Sequence, residues 1–371
     1  MKTNFLQPLI FGVATLLAVS LGAAQPAWAQ GDAVRLGQIV PLSGPLANVG
    51  KEVKAATEAA IAMHNASSKP QIELVTEDDG NNPERSAAAV EGLRGKVVGL
   101  VSCFGTVGCM AQMKGAQLAG LPLVGPIAGA APLRGRGAAN VFAVRASATE
   151  ELARLVQYSQ TNSINQWAVV VQDDGFGKAY FEALKPLLVG SGIQMQAVSS
   201  LNPQTPDYAA TVLELNKTKP KGLLLLANAT HSVGVMKAWR EKTELPFVMN
   251  LSGQANGLFA KGLLGYSGAA VFVVVTPSPW GKKYAVQRDY QAAMEAAGIK
   301  NLSYLSFEAF INASVAIDAV KRAKGRSSAA LSAALQGGSF DAGGLNWRFD
   351  DVSKARFTDT AVLRPDGTFF Q

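Results

Sequence analysis

The sequence predicts an α/β protein made of two similar lobes, each a parallel sheet covered by helices on both faces. The first observation is a steady alternation of short apolar strands with longer amphipathic segments, starting at residue 34. The second is that this alternation restarts after residue 147, which indicates two halves of similar plan. The third is a run of helical patterns without intervening strands near 282–297, 303–323 and 327–336, which fits a chain returning to complete the first lobe.

Each element has a local signature. Apolar runs rich in Val, Ile and Leu predict strands at 34–43, 71–79, 97–105, 121–126, 167–174, 195–201, 222–228, 246–251 and 268–277. Amphipathic periodicity predicts helices at 48–65, 109–119, 148–162, 176–190, 207–217 and 230–241, and Pro83 suits the first turn of another helix. Near the C-terminus, Asp366-Gly367 predicts a hairpin turn.

The N-terminus predicts a secretory signal peptide over residues 1–29. Lys2 gives a positive start, and the apolar run from Leu9 to Leu21 is short for a membrane span. Ala27 and Ala29 supply the small residues of an A-x-A cleavage site, so we expect cleavage after Ala29 and export of the rest of the chain.

Composition and motifs argue against several classes of function. The formal net charge of +7 is spread along the chain without a basic-aromatic stripe, which argues against nucleic-acid binding. The chain has two histidines and two cysteines and no phosphate-binding or nucleophile-elbow motif. We therefore expect no catalytic residues, no metal and no cofactor, and we expect that the protein is not an enzyme.

The loops after the predicted strands are rich in glycine, hydroxyl and other small residues. In open parallel sheets, ligands bind at the carboxyl ends of the strands, where these loops lie. Backbone N–H groups at helix N-termini favour an anionic group such as a carboxylate. The alternative interpretation is that the glycines only allow tight turns, but six such loops together favour a ligand cleft.

Several motifs in order resemble one known family. The segments "LGQIVPLSGPLANVGKEVKAATEAAIAMHNA", "EDDGNNPERSAAAVEGL", "FAVRASATEE" and "VVQDDGFGKAYFEALK" are similar to the periplasmic solute-binding proteins of ABC importers, in the leucine/isoleucine/valine-binding group. The resemblance extends over essentially the whole chain after the signal peptide.

The resemblance implies the type I periplasmic-binding fold, with two Rossmann-like α/β/α lobes that are joined by three crossovers and close on a ligand by hinge motion. It implies a monomer in the periplasm whose partners are a small-molecule ligand and an inner-membrane ABC permease. Lobe one would comprise 30–146 and 277–340, and lobe two 147–276 and 341–371. The crossovers would lie near Arg145–Ser147, Thr276–Ser278 and Phe340–Gly344.

The resemblance also assigns ligand-binding residues. It places the ligand carboxylate at Gly105 and Thr106, with a second carboxylate loop further along the chain. An aromatic residue of lobe two covers the ligand, and a further loop of lobe two reaches the cleft. The complete predicted set is Ser43, Phe104, Gly105, Thr106, Ala128, Gly129, Phe176, Ala229, Thr230 and Ser252.

Two positions depart from the pattern of the amino-acid binders. They usually carry an acidic residue after the strand that matches 246–251, where it pairs with the ligand ammonium, and Ser252 stands there instead. An aromatic residue often found in the first loop is replaced by Val49. Since a buried ammonium without a carboxylate is costly, a carboxylate, an aromatic acid or an amide fits at least as well as an amino acid.

The two cysteines bracket the predicted carboxylate loop in "VSCFGTVGCM". In an oxidising compartment, a Cys103–Cys109 disulfide would fix Gly105 and Thr106 in their binding geometry. The alternative is two buried thiols, one directed into the sheet and one into the helix interface, if their Cα atoms lie too far apart.

The leading hypothesis is a periplasmic binding protein that captures a small organic solute and delivers it to an ABC permease. A second hypothesis is a ligand-sensing module that signals to a receptor or regulator. A third is an exported enzyme on the same fold, which would need a titratable pair in the cleft, and His231 is the nearest candidate.

Overall fold

The computed structural model describes residues 1, 33–242, 244–264, 270–349 and 356–371. Apart from Met1, the predicted signal peptide lies outside the described residues. Within the described part of the chain, none of the helices combines the length and apolar character that crossing a membrane requires.

The first lobe begins with a five-stranded parallel sheet of order β2-β1-β3-β4-β5. Its strands are β1 (Val34–Val40), β2 (Ile72–Asp78), β3 (Gly99–Val101), β4 (Leu123–Val124) and β5 (Val141–Phe142). The helices along this part of the chain are α1 (Ala47–Ser67), α2 (Pro83–Leu93) and α3 (Thr106–Ala119). Two short 3-10 turns, Ala131–Leu133 and Arg136–Ala138, follow β4.

The second lobe repeats this plan around a longer sheet. Its helices are α4 (Ala148–Thr161), α5 (Gly175–Leu188), α6 (Tyr208–Asn216), α7 (Ala229–Arg240) and α8 (Gly257–Gly262). Its strands are β6 (Gln166–Gln172), β7 (Gln194–Leu201), β8 (Gly222–Leu226), β9 (Phe247–Asn250) and β10 (Ala270–Val274), all paired in parallel. A 3-10 turn, Ser252–Gln254, follows β9.

The chain then returns to the first lobe through α9 (Ala285–Ala296), α10 (Tyr304–Arg322) and α11 (Ser328–Gly337). Helix α10 is buried along most of its length, and its apolar side chains share one core with α1 and β1. A hairpin of β11 (Ser339–Ala342) and β12 (Leu345–Arg348) follows.

The last strands join the sheet of the second lobe. Strands β13 (Asp359–Leu363) and β14 (Phe369–Phe370) extend it in the order β14-β13-β10-β9-β8-β6-β7, and both pair antiparallel. The predicted turn at Asp366-Gly367 lies between them, so that prediction is confirmed. The predicted fold class of two α/β lobes is also confirmed.

One boundary differs in a way that matters for function. The strand predicted at 97–105 ends at Val101, and the helix predicted from residue 109 begins at Thr106. Ser102 has φ 54° and Gly105 has φ 79°, in the left-handed region that a strand does not use. These two residues end the strand early and turn the chain into α3.

A local capping arrangement fixes the start of α4. The Ser147 hydroxyl accepts a hydrogen bond from the Glu150 backbone N–H (3.2 Å), and the Glu150 carboxylate accepts one from the Ser147 N–H (2.7 Å). We expect Ser147→Ala to lower the free energy of unfolding by about 1 kcal/mol in thermal unfolding. Thr161→Ala, at the exposed end of the same helix, should have less than half this effect, and equal losses would contradict the capping role.

Candidate functional site

Loops from both lobes converge on a cleft between them. It encloses about 730 Å³ of space free of protein atoms, part of it open to solvent. Its lining comes from both lobes: Leu46, Val49, Asn81, Phe104, Gly105, Thr106, Val107, Ile127, Ala128, Arg145, Gln172, Asp174, Phe176, Tyr180, Ala227, Asn228, Ala229, Leu251, Gly253, Gln254 and Asn256. The size suits a small organic molecule.

On the first lobe, the cleft wall is the start of α3. Gly105 is the N-cap residue and has no side chain to accept a hydrogen bond from the first turn. Thr106 is 1% exposed, and its hydroxyl oxygen has no hydrogen-bond partner among the described residues. Since the first N–H groups of a helix have no intrahelical acceptor, this end of α3 presents donors to the cleft.

The two cysteines flank this loop and are joined as a disulfide, with their Cα atoms 5.4 Å apart. Both are fully buried. The bridge links the chain just after β3 to the first turn of α3.

On the second lobe, three helices also begin at the cleft, but their own side chains cap them. Asp174 accepts from the N–H groups of Phe176 (2.9 Å) and Gly177 (3.0 Å) at α5. Asn228 caps α7, and Asn256 caps α8 in the same way. These helix ends therefore have fewer free donors than α3.

Gln172 ties two of these caps together. Its amide nitrogen donates to Asp174 Oδ2 (2.6 Å), and its amide oxygen accepts from the Asn228 backbone N–H (3.0 Å). The Asp174 carboxylate thus accepts three hydrogen bonds from the protein.

The body of the cleft is mostly apolar. Phe104 of lobe one and Phe176 of lobe two both line it, and Phe176 packs against Tyr180 with ring centroids 5.0 Å apart. Leu46 and Val49 lie at the start of α1. The cleft therefore combines one end rich in hydrogen-bond donors with an apolar body.

Behind the cleft lies a buried ionic cluster centred on Arg145. Its guanidinium donates to Glu151 Oε1 (2.6 Å) and to the Ser252 hydroxyl, and lies 3.4 Å from Glu308 Oε1. Glu151 also accepts from the Tyr180 hydroxyl (2.9 Å) and from the Ser252 N–H (3.0 Å). Arg145 is thus compensated by protein carboxylates although it borders the cleft.

Burial and charge shift the pKa values of this cluster. Burial raises the pKa of Glu308 to about 7, although Arg145 acts in the opposite direction. Burial alone would lower the pKa of Arg145, but Glu151 and Glu308 outweigh it and raise that pKa. Burial, together with the Glu151 charge, raises the pKa of Tyr180, so this hydroxyl stays protonated and donates.

The structure places six of the ten predicted ligand-binding residues in the cleft lining: Phe104, Gly105, Thr106, Ala128, Phe176 and Ala229. Ser43 lies outside the lining, and its backbone N–H donates to Asp78 (3.1 Å). Thr230 is half-buried in the first turn of α7, and its hydroxyl has no hydrogen-bond partner among the described residues.

The other two predicted residues belong to the wall behind the cleft. At Gly129 a Cβ atom would lie 2.4 Å from the Tyr180 hydroxyl, so only glycine fits there. Ser252 is buried against Glu151 and Arg145. His231 is also outside the lining, and its Nδ1 lies 2.9 Å from the Tyr208 hydroxyl.

Several polar residues of the lining were not predicted from the sequence. Asp174, Asn228 and Asn256 each stand immediately before a helix, and an N-cap search would have found them. Arg145 was named only as part of a crossover. Nothing local in the sequence shows that it borders the cleft.

The family profile described as "Periplasmic binding protein" matches residues 33–367. The Leu/Ile/Val-binding protein homolog 7 of Brucella abortus (strain 2308) is 24% identical over 361 residues, which cover 90% of each chain. The Leu/Ile/Val-binding protein homolog 3 of Brucella melitensis is 27% identical over 203 residues, and the match spans only 54% of that relative's length.

Solved structures share the fold. A substrate-binding periplasmic protein from Ralstonia solanacearum superposes with a TM-score of 0.84 at 24% identity and covers 91% of this chain and 99% of that one. An extracellular ligand-binding receptor from Verminephrobacter eiseniae gives a TM-score of 0.83 at 25% identity, over 92% and 100%. Two α/β lobes around a ligand-sized cleft define a solute-binding architecture. The chain belongs to the periplasmic binding protein family.

Proposed function

We propose that the protein is the substrate-binding component of an ABC importer and that its ligand is a small organic acid with an apolar or aromatic body. The observation that carries the proposal is the start of α3, which has no side-chain cap: Thr106 lines the mostly apolar cleft there, and its buried hydroxyl has no hydrogen-bond partner among the described residues. The ligand would bind between the lobes, and the protein would pass it to an inner-membrane permease without covalent chemistry.

The acid group of the ligand would bind at α3. A carboxylate can accept hydrogen bonds from the first N–H groups of the helix and from the Thr106 hydroxyl, and it interacts favourably with the helix dipole. On the opposite wall, the carboxylate of Asp174 would repel an anion. The charge of the ligand therefore fixes its orientation across the cleft.

The far end of the ligand would be uncharged. The loop after β9 lines the cleft with Leu251, Gly253 and Gln254, none of which is acidic. Asp174 is the acidic residue in the described lining, but its carboxylate already accepts three protein hydrogen bonds. An ammonium group would thus find no carboxylate free of protein partners, and its desolvation would be poorly compensated.

The names of its relatives also support the proposal that the protein is a solute-binding component. The Brucella proteins are named Leu/Ile/Val-binding protein homologs. Their names support transport of a small solute, and the departures at Val49 and Ser252 support a ligand other than a branched-chain amino acid.

A thermal-shift panel on refolded, ligand-free protein tests the ligand class. The compounds would be branched-chain and aromatic amino acids, their deaminated acids and their amides. A ligand present at about one hundred times its Kd adds about 2.7 kcal/mol of stability. We expect the deaminated acids to raise Tm, with little effect from the amino acids. If the amino acids give the larger shift, the proposal fails, and Asp174 becomes the candidate ammonium partner.

Thr106→Val tests the carboxylate end. Valine keeps the shape of threonine but removes the hydroxyl, so we expect the affinity for the acid to fall about 10- to 100-fold in calorimetry. Since the Thr106 hydroxyl has no partner among the described residues, the Tm of the ligand-free variant should stay unchanged. Thr57→Val is the matched control, because the Thr57 hydroxyl donates to Val53 O and accepts from Gln38 away from the cleft. Thr57→Val should lower Tm without a comparable change in affinity. A loss of affinity in Thr57→Val but not in Thr106→Val would contradict the role of Thr106 in binding the acid group.

A further inference from the structure

We infer that the Cys103–Cys109 disulfide is a positioning element of the ligand site, which holds the acid-binding loop in its binding geometry before the ligand arrives. The inference rests on the proposed function, because it concerns the same loop. It goes beyond that function in assigning the affinity of the site partly to two residues that do not line the cleft.

The bridge encloses a short ring of chain that contains most of the cleft-lining start of α3. Of the five residues between the cysteines, the four from Phe104 to Val107 line the cleft, and Gly108 does not. Both cysteines are fully buried. The covalent link therefore spans the cleft-lining segment Phe104 to Val107 together with Gly108.

Ser102, the residue immediately before the bridged ring, has an unfavourable backbone, with φ 54° in the left-handed region that residues with a Cβ rarely adopt. Such a conformation persists only where the surrounding structure enforces it. Gly105 has φ 79°, which glycine adopts readily.

Backbone hydrogen bonds also hold the residues between the two cysteines. Toward the sheet, Ile127 donates its N–H to Cys103 O (2.8 Å) and accepts from the Gly105 N–H (3.2 Å). At the helix start, Gly105 has no side chain to cap α3. The Cys109 N–H donates to Gly105 O (2.9 Å), and the disulfide adds a covalent link between the end of β3 and the first turn of α3.

If the loop is already ordered, less binding free energy is needed to order it when the ligand binds. Without the bridge, the left-handed turn and the donors of α3 would have to be ordered by the ligand, and that cost would subtract from the affinity. Removal of the disulfide should therefore weaken ligand binding by more than the accompanying loss of global stability would cause.

The test compares the double variant Cys103→Ala, Cys109→Ala with the wild type and with Leu335→Ala. Leu335 is fully buried in α11 and lies outside the cleft lining, so its variant is a control for lost stability alone. The first readout is hydrogen exchange of residues 102–110 in the ligand-free proteins. The second is the Kd for an acid identified by the thermal-shift panel.

We expect the double variant to exchange at least tenfold faster in this segment and to bind the acid at least tenfold more weakly than Leu335→Ala does. Unchanged exchange in residues 102–110, or an affinity no lower than that of Leu335→Ala, would overturn the inference. If no acid binds the wild type, the proposed function fails. The exchange comparison then decides separately whether the bridge orders the loop.

Discussion

Arg145→Met is expected to lower the free energy of unfolding by about 3–5 kcal/mol, because it leaves a buried carboxylate without its cation. Arg145 is 4% exposed, and Glu151, its partner at 2.6 Å, is 0% exposed. Without the guanidinium, Glu151 keeps the Tyr180 and Ser252 hydrogen bonds but loses its compensating charge. Urea unfolding at pH 7, followed by tryptophan fluorescence, measures the loss.

An exposed ion pair of the same type provides the control. Arg35 and Glu73 lie 2.9 Å apart, and their side chains are 44% and 48% exposed. Arg35→Met should cost at most about 1 kcal/mol, because solvent screens exposed pairs. A similar small loss for Arg145→Met would show that the cluster behind the cleft does not depend on its arginine.

Removing both charges should restore much of the stability. In the double variant Arg145→Met, Glu151→Gln, the charge of Glu151 is removed together with its cation, and Glu308 is the remaining carboxyl group that loses Arg145 as its ion-pair partner. We expect it to be more stable than Arg145→Met alone. A double variant less stable than the single one would show that other contacts of Glu151 carry the stabilisation.

Much of the fold could be predicted because its signals are local. Alternating apolar strands and amphipathic helices identify both sheets, and the Asp366-Gly367 turn identifies the last hairpin. Boundaries were less certain where tertiary contacts decide them. The strand before Cys103 is shorter than its apolar run, because Ser102 and Gly105 turn the chain toward α3.

Part of the cleft could also be predicted from local sequence signals. Residues at the ends of strands and starts of helices, such as Gly105, Thr106 and Phe176, stand where the loops converge. The polar residues that line the cleft on lobe two, such as Asp174, are helix N-cap residues, so helix-cap patterns rather than ligand-binding motifs would have predicted them.

The ionic cluster behind the cleft could not be predicted from local patterns. Arg145 and Ser252 are 107 residues apart in sequence, yet they are hydrogen-bonded. Ser252 was predicted to line the cleft from the family pattern, whereas its hydroxyl donates to Glu151 (2.7 Å). Charged residues in amphipathic helices resemble surface residues until the partner elements are known, and Glu308 in α10 is such a case.

Glu308 connects this cluster to a second cavity beside the crossovers. The cavity encloses about 560 Å³ and is lined by Arg145, Glu308, Thr276 and Trp347, among others. Glu308 is 4% exposed, and its Oε1 has no hydrogen-bond partner among the described residues. The charged groups that act on it are Arg145 and Arg134, which favour its ionised form, and Glu151, which opposes it.

Glu308→Gln is expected to make the protein more stable at pH 8 by up to about 3 kcal/mol and to leave its stability at pH 4.5 nearly unchanged. Burial raises the pKa of Glu308 from 4.5 to about 7, so between these values the folded protein keeps a proton that the unfolded chain has released. This group's contribution is therefore fully present below pH 4.5 and is lost as pH rises through 7, a difference of about 3 kcal/mol. Glutamine is neutral over this whole pH range, so the variant lacks this part of the pH dependence of the unfolding free energy.

The measurement is urea unfolding of both proteins from pH 4.5 to pH 8. The difference between the two curves isolates Glu308, because carboxyl groups shared by both proteins cancel. Among these is Glu150, whose pKa is lowered: burial opposes that shift, and hydrogen bonds from Ser147 and Arg356 outweigh it. Glu58→Gln, at an exposed position on α1, is the control and should run parallel to the wild type. A flat difference for Glu308→Gln would mean that Arg145, 3.4 Å away, keeps the Glu308 carboxylate ionised at neutral pH despite its burial.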